Sequence, residues 1–302
     1  MKTVKGATEE LKLNSQTAVA IGNFDGVHQG HKKILKTLAL KAEKNGLTSL
    51  VYTFSEHPQK NKAITDTEEK TELIENAGAD ILYLEDFESV KDLSPENFVK
   101  NILVDKLRAK LVISGVNNRF GKNAEGDVTL LKELGEKYGF LVEVVEPFYV
   151  DDTLCSSTEI RKCIENGEIK KANKLLGRNY KIQGEVISGK KLGRTYGFPT
   201  ANLKFSKTKV IPKNGVYATR VRVNEKIYKA ITNVGTTSFD KEEIKRIETF
   251  IIDFNGDLYG TSLNIEFLEK MRDFIPFEDV SQLETQLIKD KENRLIITEE
   301  IK

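Results

Sequence analysis

Apolar and polar positions divide the chain into two differently patterned parts. In the first, short apolar runs alternate with amphipathic stretches. Thr17–Ile21, Leu47–Phe54, Asp80–Leu84, Ala109–Ser114 and Phe140–Val145 read as buried strands. The stretch from Lys32, then Thr67–Ala77, Pro95–Leu107 and Asp127–Tyr138, carry helical spacing, with Ser94 placed to cap the third. This rhythm predicts a parallel sheet covered by helices on both faces. Two helical segments follow, Thr158–Asn166 and Ile169–Leu176. Near residue 180 the pattern changes to short alternating strands: Lys181–Ile187, Tyr217–Val223, Lys226–Val234, Ile247–Phe254 and Ser262–Phe267. Asn255-Gly256-Asp257 reads as a hairpin turn between the last two, and a final helix runs from Val280 to about Asn293. The expected domains are 1–180, α/β, and 181–302, a small antiparallel barrel or sandwich.

Composition narrows the class. A chain of 302 residues has room for two domains. Lys and Arg number 47 and Asp and Glu 46, so the net charge is +1, which argues against a general nucleic-acid binder. No apolar run reaches membrane-spanning length and the N-terminus lacks a signal-peptide core. Cys155 and Cys163 are the only cysteines, which suits a reducing cytoplasm without a disulfide framework or zinc cluster. The expectation is a cytoplasmic protein with no membrane or nucleic-acid partner, a monomer or weak homo-oligomer.

The candidate chemistry begins at Ile21-Gly-Asn-Phe-Asp-Gly-Val-His-Gln-Gly-His31, between the first strand and the first helix. Gly22, Gly26 and Gly30 allow sharp turns and close approach to a ligand. His28 and His31 stand where a helix start favours a phosphate, and both imidazoles are able to donate to its oxygens. A plain strand-to-helix turn is the alternative. No Gly-Lys-Ser/Thr closes the loop, so it is not a Walker A sequence, and its glycine spacing is not that of the dinucleotide fingerprint. Ser55–Pro58 and Gly115–Gly121 also follow strands, so all three loops are expected to border one crevice.

These blocks, in this order, resemble the bacterial bifunctional riboflavin kinase and FAD synthetase family. Gly22–His31, His57-Pro58, Arg119-Phe120-Gly121 and Ser156-Ser-Thr-Glu-Ile-Arg161 are similar to its nucleotidyl-transfer motifs. Gly197-Phe-Pro-Thr-Ala-Asn202 resembles its flavokinase signature, and Gly215-Val-Tyr217, Asn233-Val-Gly235, Glu248 and Asp253–Gly260 follow in its order. The resemblance runs along nearly the whole chain. Ser55-Glu56, Asn118, the loop after Gly235 and Phe274 depart from the family's usual pattern.

The resemblance implies a doubly wound, Rossmann-like nucleotidyltransferase domain followed by a six-stranded antiparallel β-barrel with a terminal helix. It implies two reactions: phosphorylation of riboflavin by ATP to FMN, then adenylylation of FMN by ATP to FAD and pyrophosphate. At the first site, His28 and His31 would act on phosphates. Gly22, Asn23, Phe24, Gly26, Gly30, Asn117, Ser157, Thr158 and Arg161 would bind ATP. At the second, Glu248 would accept the riboflavin hydroxyl proton and Thr200 and Asn202 would hold Mg²⁺. Gly189 and Gly193 would belong to a phosphate loop, and Asn233 and Arg272 would contact flavin. Alternatives are a paralogue retaining one activity, a transferase for another phosphorylated substrate such as a cytidylyltransferase, and a flavin-binding regulator without catalysis.

Overall fold

The structure is a computed structural model describing residues 1–6, 11, 13–56, 62–188, 197–239 and 242–298. His57, Pro58, Gly189 and Gly193 therefore lie outside the described residues. The chain forms two compact units, Met1–Ser157 and Thr158–Lys302.

In the first unit, β1 (Lys2–Lys5), β2 (Thr17–Ile21), β3 (Thr48–Phe54), β4 (Ile81–Glu85), β5 (Ala109–Gly115) and β6 (Leu141–Val145) form one sheet in the order β1-β4-β3-β2-β5-β6. Every pairing is parallel. Strand β1 was not expected; its Lys-Thr-Val-Lys is too short and polar to stand out, yet it pairs along β4. Successive residues of the central strands feed two separate cores. Val19, Ile21, Leu50 and Tyr52 pack on one face, and Ala18, Ala20 and Val51 on the other. That two-sided burial is why these strands read as continuous apolar runs.

The helices are α1 (Gln29–Asn45), α2 (Thr67–Glu75), α3 (Phe87–Val90), α4 (Pro95–Asn97) and α5 (Val128–Tyr138). Helix α1 ends at Gly46, whose φ of 62° is the left-handed C-cap only glycine takes freely. Ser94 caps α4 as expected, but the helix widens over Phe98–Lys106 into π winding rather than running on as α-helix to Leu107. A small hairpin, β7 (Tyr149–Val150) and β8 (Thr153–Leu154), closes the unit.

The second unit opens with α6 (Ser157–Asn166) and α7 (Ile169–Leu176). It continues with β9 (Tyr180–Ile187), β10 (Thr200–Phe205), β11 (Gly215–Val223), β12 (Lys226–Phe239), β13 (Glu242–Ile251) and β14 (Ser262–Arg272). These close into a barrel in the order β10-β13-β12-β11-β14-β9. The Asn173 side chain ties α7 to the barrel by donating to Phe267 O and accepting from the Tyr180 N–H. Inside, Thr219, Thr232 and Thr249 are fully buried and join by hydroxyl bonds of 2.8 and 2.9 Å.

Three local expectations are corrected. Thr200–Phe205 is a strand missing from those the alternation marked. Strands β12 and β13 pair as far as Phe239 and Glu242, well beyond Val234. Asn255-Gly256-Asp257 is no hairpin: β13 pairs with β10 and β12, not with β14, so residues 252–261 are a crossover. Neither Asn255 nor Gly256 takes positive φ; Asp253 and Gly260 do. The C-terminal helix spans Val280–Ile296 and is held by Arg294, fully buried, which donates to the carbonyls of Thr219 and Ala230. Among the described residues no helix is long and apolar enough to cross a membrane.

Candidate active sites

The first site is built where β2 ends. Phe24 (φ 47°), Gly26 (83°) and Val27 (35°) all have positive φ. For the β-branched Val27 this is a strained conformation that its surroundings must impose. Asp25, buried, supplies much of the restraint: its carboxylate accepts from the N–H groups of Ile64 (2.9 Å) and Thr65 (3.2 Å). The Gly26 N–H donates to Thr65 Oγ1 (3.0 Å), Thr53 Oγ1 to Asn23 O (3.0 Å), and Ser157 Oγ to Asp25 O (2.8 Å). A Cβ at Gly26 would also press on Ile64 at 3.2 Å.

The loop delivers His28 as the N-cap of α1. Its Nδ1 accepts from the His31 N–H (3.3 Å) and lies 3.5 Å from Cys155 Sγ. The Lys32 N–H bonds to His28 O (2.9 Å). Of the N–H groups at the helix start, those of His31 and Lys32 have protein acceptors. With Nδ1 accepting the cap bond, Nε2 is the His28 ring nitrogen left to donate. The His28 and His31 rings stack at 3.6 Å, and Phe24 lies 5.1 Å beyond His31. Burial, and after it the charges of His28 and Lys70, hold His31 well below the usual histidine range, so it is neutral at pH 7. Its Nδ1 is buried and has no hydrogen-bond partner among the described residues.

A cleft of about 280 Å³ collects Gly22, Asn23, Phe24, His28, Gly30, His31, Asn117 and Ser157. It lies at the carboxyl ends of β2, β5 and β6, where ligands bind in sheets of this kind. Gly26 shapes the loop from behind. Thr158 and Arg161 stand in the opening turns of α6, in the second unit. Sequence reasoning assigned no role to Asp25, Lys70 or Cys155. A lysine on a helix reads as solvated and a lone cysteine as core, and nothing in their spacing signals otherwise.

The second site is a row across the barrel. Asn202 on β10 pairs with Glu248 on β13, Glu248 with Asn233 on β12, Asn233 with Val216 on β11, and Val216 with Arg272 on β14. Paired residues share a sheet face, so four separate candidates fall in one line. Ile247, Thr249 and Ile251 are buried on the opposite face of β13, so Glu248 lies outside the barrel rather than within it. It is partly buried on the outer face, with no ion pair among the described residues. Thr200 lies two residues from Asn202 and so on the same face. Thr200 also lines a cleft of about 380 Å³ with Pro199 and the crossover residues Phe254–Tyr259. Arg272 is already engaged: its fork meets Asp290 of the C-terminal helix at 3.0 and 2.7 Å, and Nη1 donates to Asp273 O.

Comparison with known proteins matches both halves. Residues 10–159 match the family described as FAD synthetase, and residues 176–297 the family described as riboflavin kinase. A bifunctional riboflavin kinase/FMN adenylyltransferase of Buchnera aphidicola subsp. Schizaphis graminum is 38% identical over 97% of each chain. The protein of that name from Bacillus subtilis is 35% identical over 93% of this chain and 92% of its own. A crystal structure from Streptococcus pneumoniae, described as a macrolide-efflux protein, matches with a TM-score of 0.90 at 30% identity, covering 99% of this chain and 100% of that one. On identity, coverage and the order of its two halves, the chain belongs to the bifunctional riboflavin kinase/FMN adenylyltransferase family.

Proposed function

We propose that this chain makes both flavin cofactors, phosphorylating riboflavin with ATP to FMN and adenylylating FMN with a second ATP to FAD. The observation that carries this is the row Asn202–Glu248–Asn233, which assembles a carboxylate and two amides from three strands. The first cleft supplies the other activity. We assign adenylylation to residues 1–180 and phosphorylation to residues 181–302, in the cytoplasm.

Riboflavin's 5′-hydroxyl keeps its proton at neutral pH, so a carboxylate must accept it as the oxygen attacks the γ-phosphorus. Glu248 is that base, and the lack of an ion-pair partner among the described residues leaves its charge available. Thr200 and Asn202 offer a hydroxyl and an amide oxygen on one face, the hard neutral donors that suit Mg²⁺ beside phosphate. Mg²⁺ bound there with ATP would neutralise charge on the phosphate oxygens. Asn233, next in the row, positions the flavin.

Adenylylation needs no proton removal, because the FMN phosphate is already an oxyanion. The demand is in-line alignment and stabilisation of charge on the α-phosphate. His28 donates from Nε2, while Asn23, Asn117 and Ser157 border the same cleft. The test is incubation of the full chain with riboflavin, ATP and MgCl₂, with chromatographic separation of products. FMN followed by FAD is the expected course, and chelation should abolish it. Absence of either product removes the corresponding half of the proposal.

A further inference from the structure

Lys70 is a buried basic residue, coupled electrostatically to Asp25 and His31 of the first site, that the proposed reaction has not used. It lies on α2, only 6% exposed. Its Nζ donates to the carbonyl of Phe54, the last residue of β3, at 2.6 Å. An ammonium has three protons to donate, and this is its one hydrogen bond among the described residues. Asp25 favours its charge from the loop side without forming an ion pair with it, while the carboxylate is bonded to Ile64 and Thr65. Across the same space the ammonium lowers the basicity of His31, whose Nδ1 is also buried and unpartnered among the described residues. Two buried polar groups with unspent hydrogen-bonding capacity thus share one field at the carboxyl edge of the sheet. Burial brings Lys70 down to about 8, and an anion beside it would restore its charge.

The strand order says which anion. The histidine cleft draws on β2, β5 and β6 and on residues 154–157, with nothing from β3 or β4. Strand β3 lies on the other side of β2 from β5. ATP in the cleft therefore leaves the β3 side for the attacking group, which must enter opposite the departing pyrophosphate. We infer that Lys70 binds the phosphate of FMN and holds it for attack. In that step an FMN phosphate oxygen bonds to the α-phosphorus of ATP, the bond from that phosphorus to pyrophosphate breaks, and no proton moves.

This rests on the adenylylation reading above. The test is steady-state FAD synthesis from FMN and ATP by the full chain carrying Lys70→Met or Lys70→Arg. Met keeps the length without the charge, and Arg keeps the charge. Lys70→Met should raise the KM for FMN about 10- to 100-fold, the value of a charge-assisted phosphate contact, with the KM for ATP changed less than about 2-fold. Lys70→Arg should recover most of the loss; if it does not fold, the methionine variant decides alone. An unchanged KM for FMN in Lys70→Met, or equal rises for FMN and ATP, overturns the assignment. Failure of the unsubstituted chain to make FAD from FMN overturns the adenylylation reading itself, a separable result.

Discussion

Lys70→Met should stabilise the first unit at neutral pH, with a gain that shrinks as pH rises. In the folded chain burial holds the ammonium down at about 8, against an ordinary 10.5. Below about pH 8 the group is charged in both states and folding bears the whole cost of burying it. Between about 8 and 10.5 the unfolded chain binds more protons than the folded one, so stability rises with pH. Above 10.5 Lys70 is neutral in both states and the cost is gone. The displacement corresponds to about 3 kcal/mol. Methionine removes that cost but leaves the Phe54 carbonyl without its donor, a loss of about 1 kcal/mol or more. It also deprives Asp25 of a nearby positive charge, although its bonds to Ile64 and Thr65 remain. The net expectation is a gain of about 1–2 kcal/mol at pH 7. Urea unfolding of the full chain, followed by circular dichroism at pH 7 and 10.5, measures it, and hydrogen exchange over β3 and α2 locates it. A variant less stable than the parent at pH 7, or an equal difference at both pH values, would refute the reasoning.

Three further outcomes are expected. Glu248→Gln should lower riboflavin phosphorylation by about 100- to 10,000-fold while FAD synthesis from supplied FMN continues. Its stability in urea should stay within about 0.5 kcal/mol of the parent, since no described ion pair is lost. His28→Ala and His31→Ala should each cut FAD synthesis about 100-fold and spare the kinase; His28→Ala should also cost about 1 kcal/mol through loss of its cap bond. Arg294→Met removes the bonds from a buried guanidinium to Thr219 and Ala230, so the amides of the C-terminal helix should exchange faster in a hydrogen-exchange time course while α1 is unaffected.

The two-part architecture was legible because it rests on local signals, as were the candidate loop and its histidines. Thr17–Ile21 is apolar throughout since both its faces are buried, and the glycines and histidines that follow cannot build an ordinary turn. The misses rest on partners distant in sequence. Strand β1 exists because β4 offers it an edge. Asn255-Gly256 resembles a hairpin turn, but whether two strands pair is decided by the closure of the barrel. Period-two alternation separates Glu248 from Thr249 without saying which is inside. Lys70 looks like any helical lysine until Phe54, 16 residues earlier, proves to be its acceptor.

The cross-barrel row, proposed above as the kinase site, makes that activity a reporter of assembly. With strands about 4.8 Å apart, the four steps from Asn202 to Arg272 span about 19 Å along the hydrogen-bonding direction. No local segment contains the site, and none of its parts can form it alone. A slip of one residue in the β12–β13 pairing would turn Glu248 inward and Thr249 outward, leaving a barrel of similar appearance with no base beside Asn202. Recovery of riboflavin phosphorylation during refolding therefore times the arrival of correct register, after strand content has already returned. Such long-range pairings are slow to close, so this half of the enzyme should gain its chemistry in one late step.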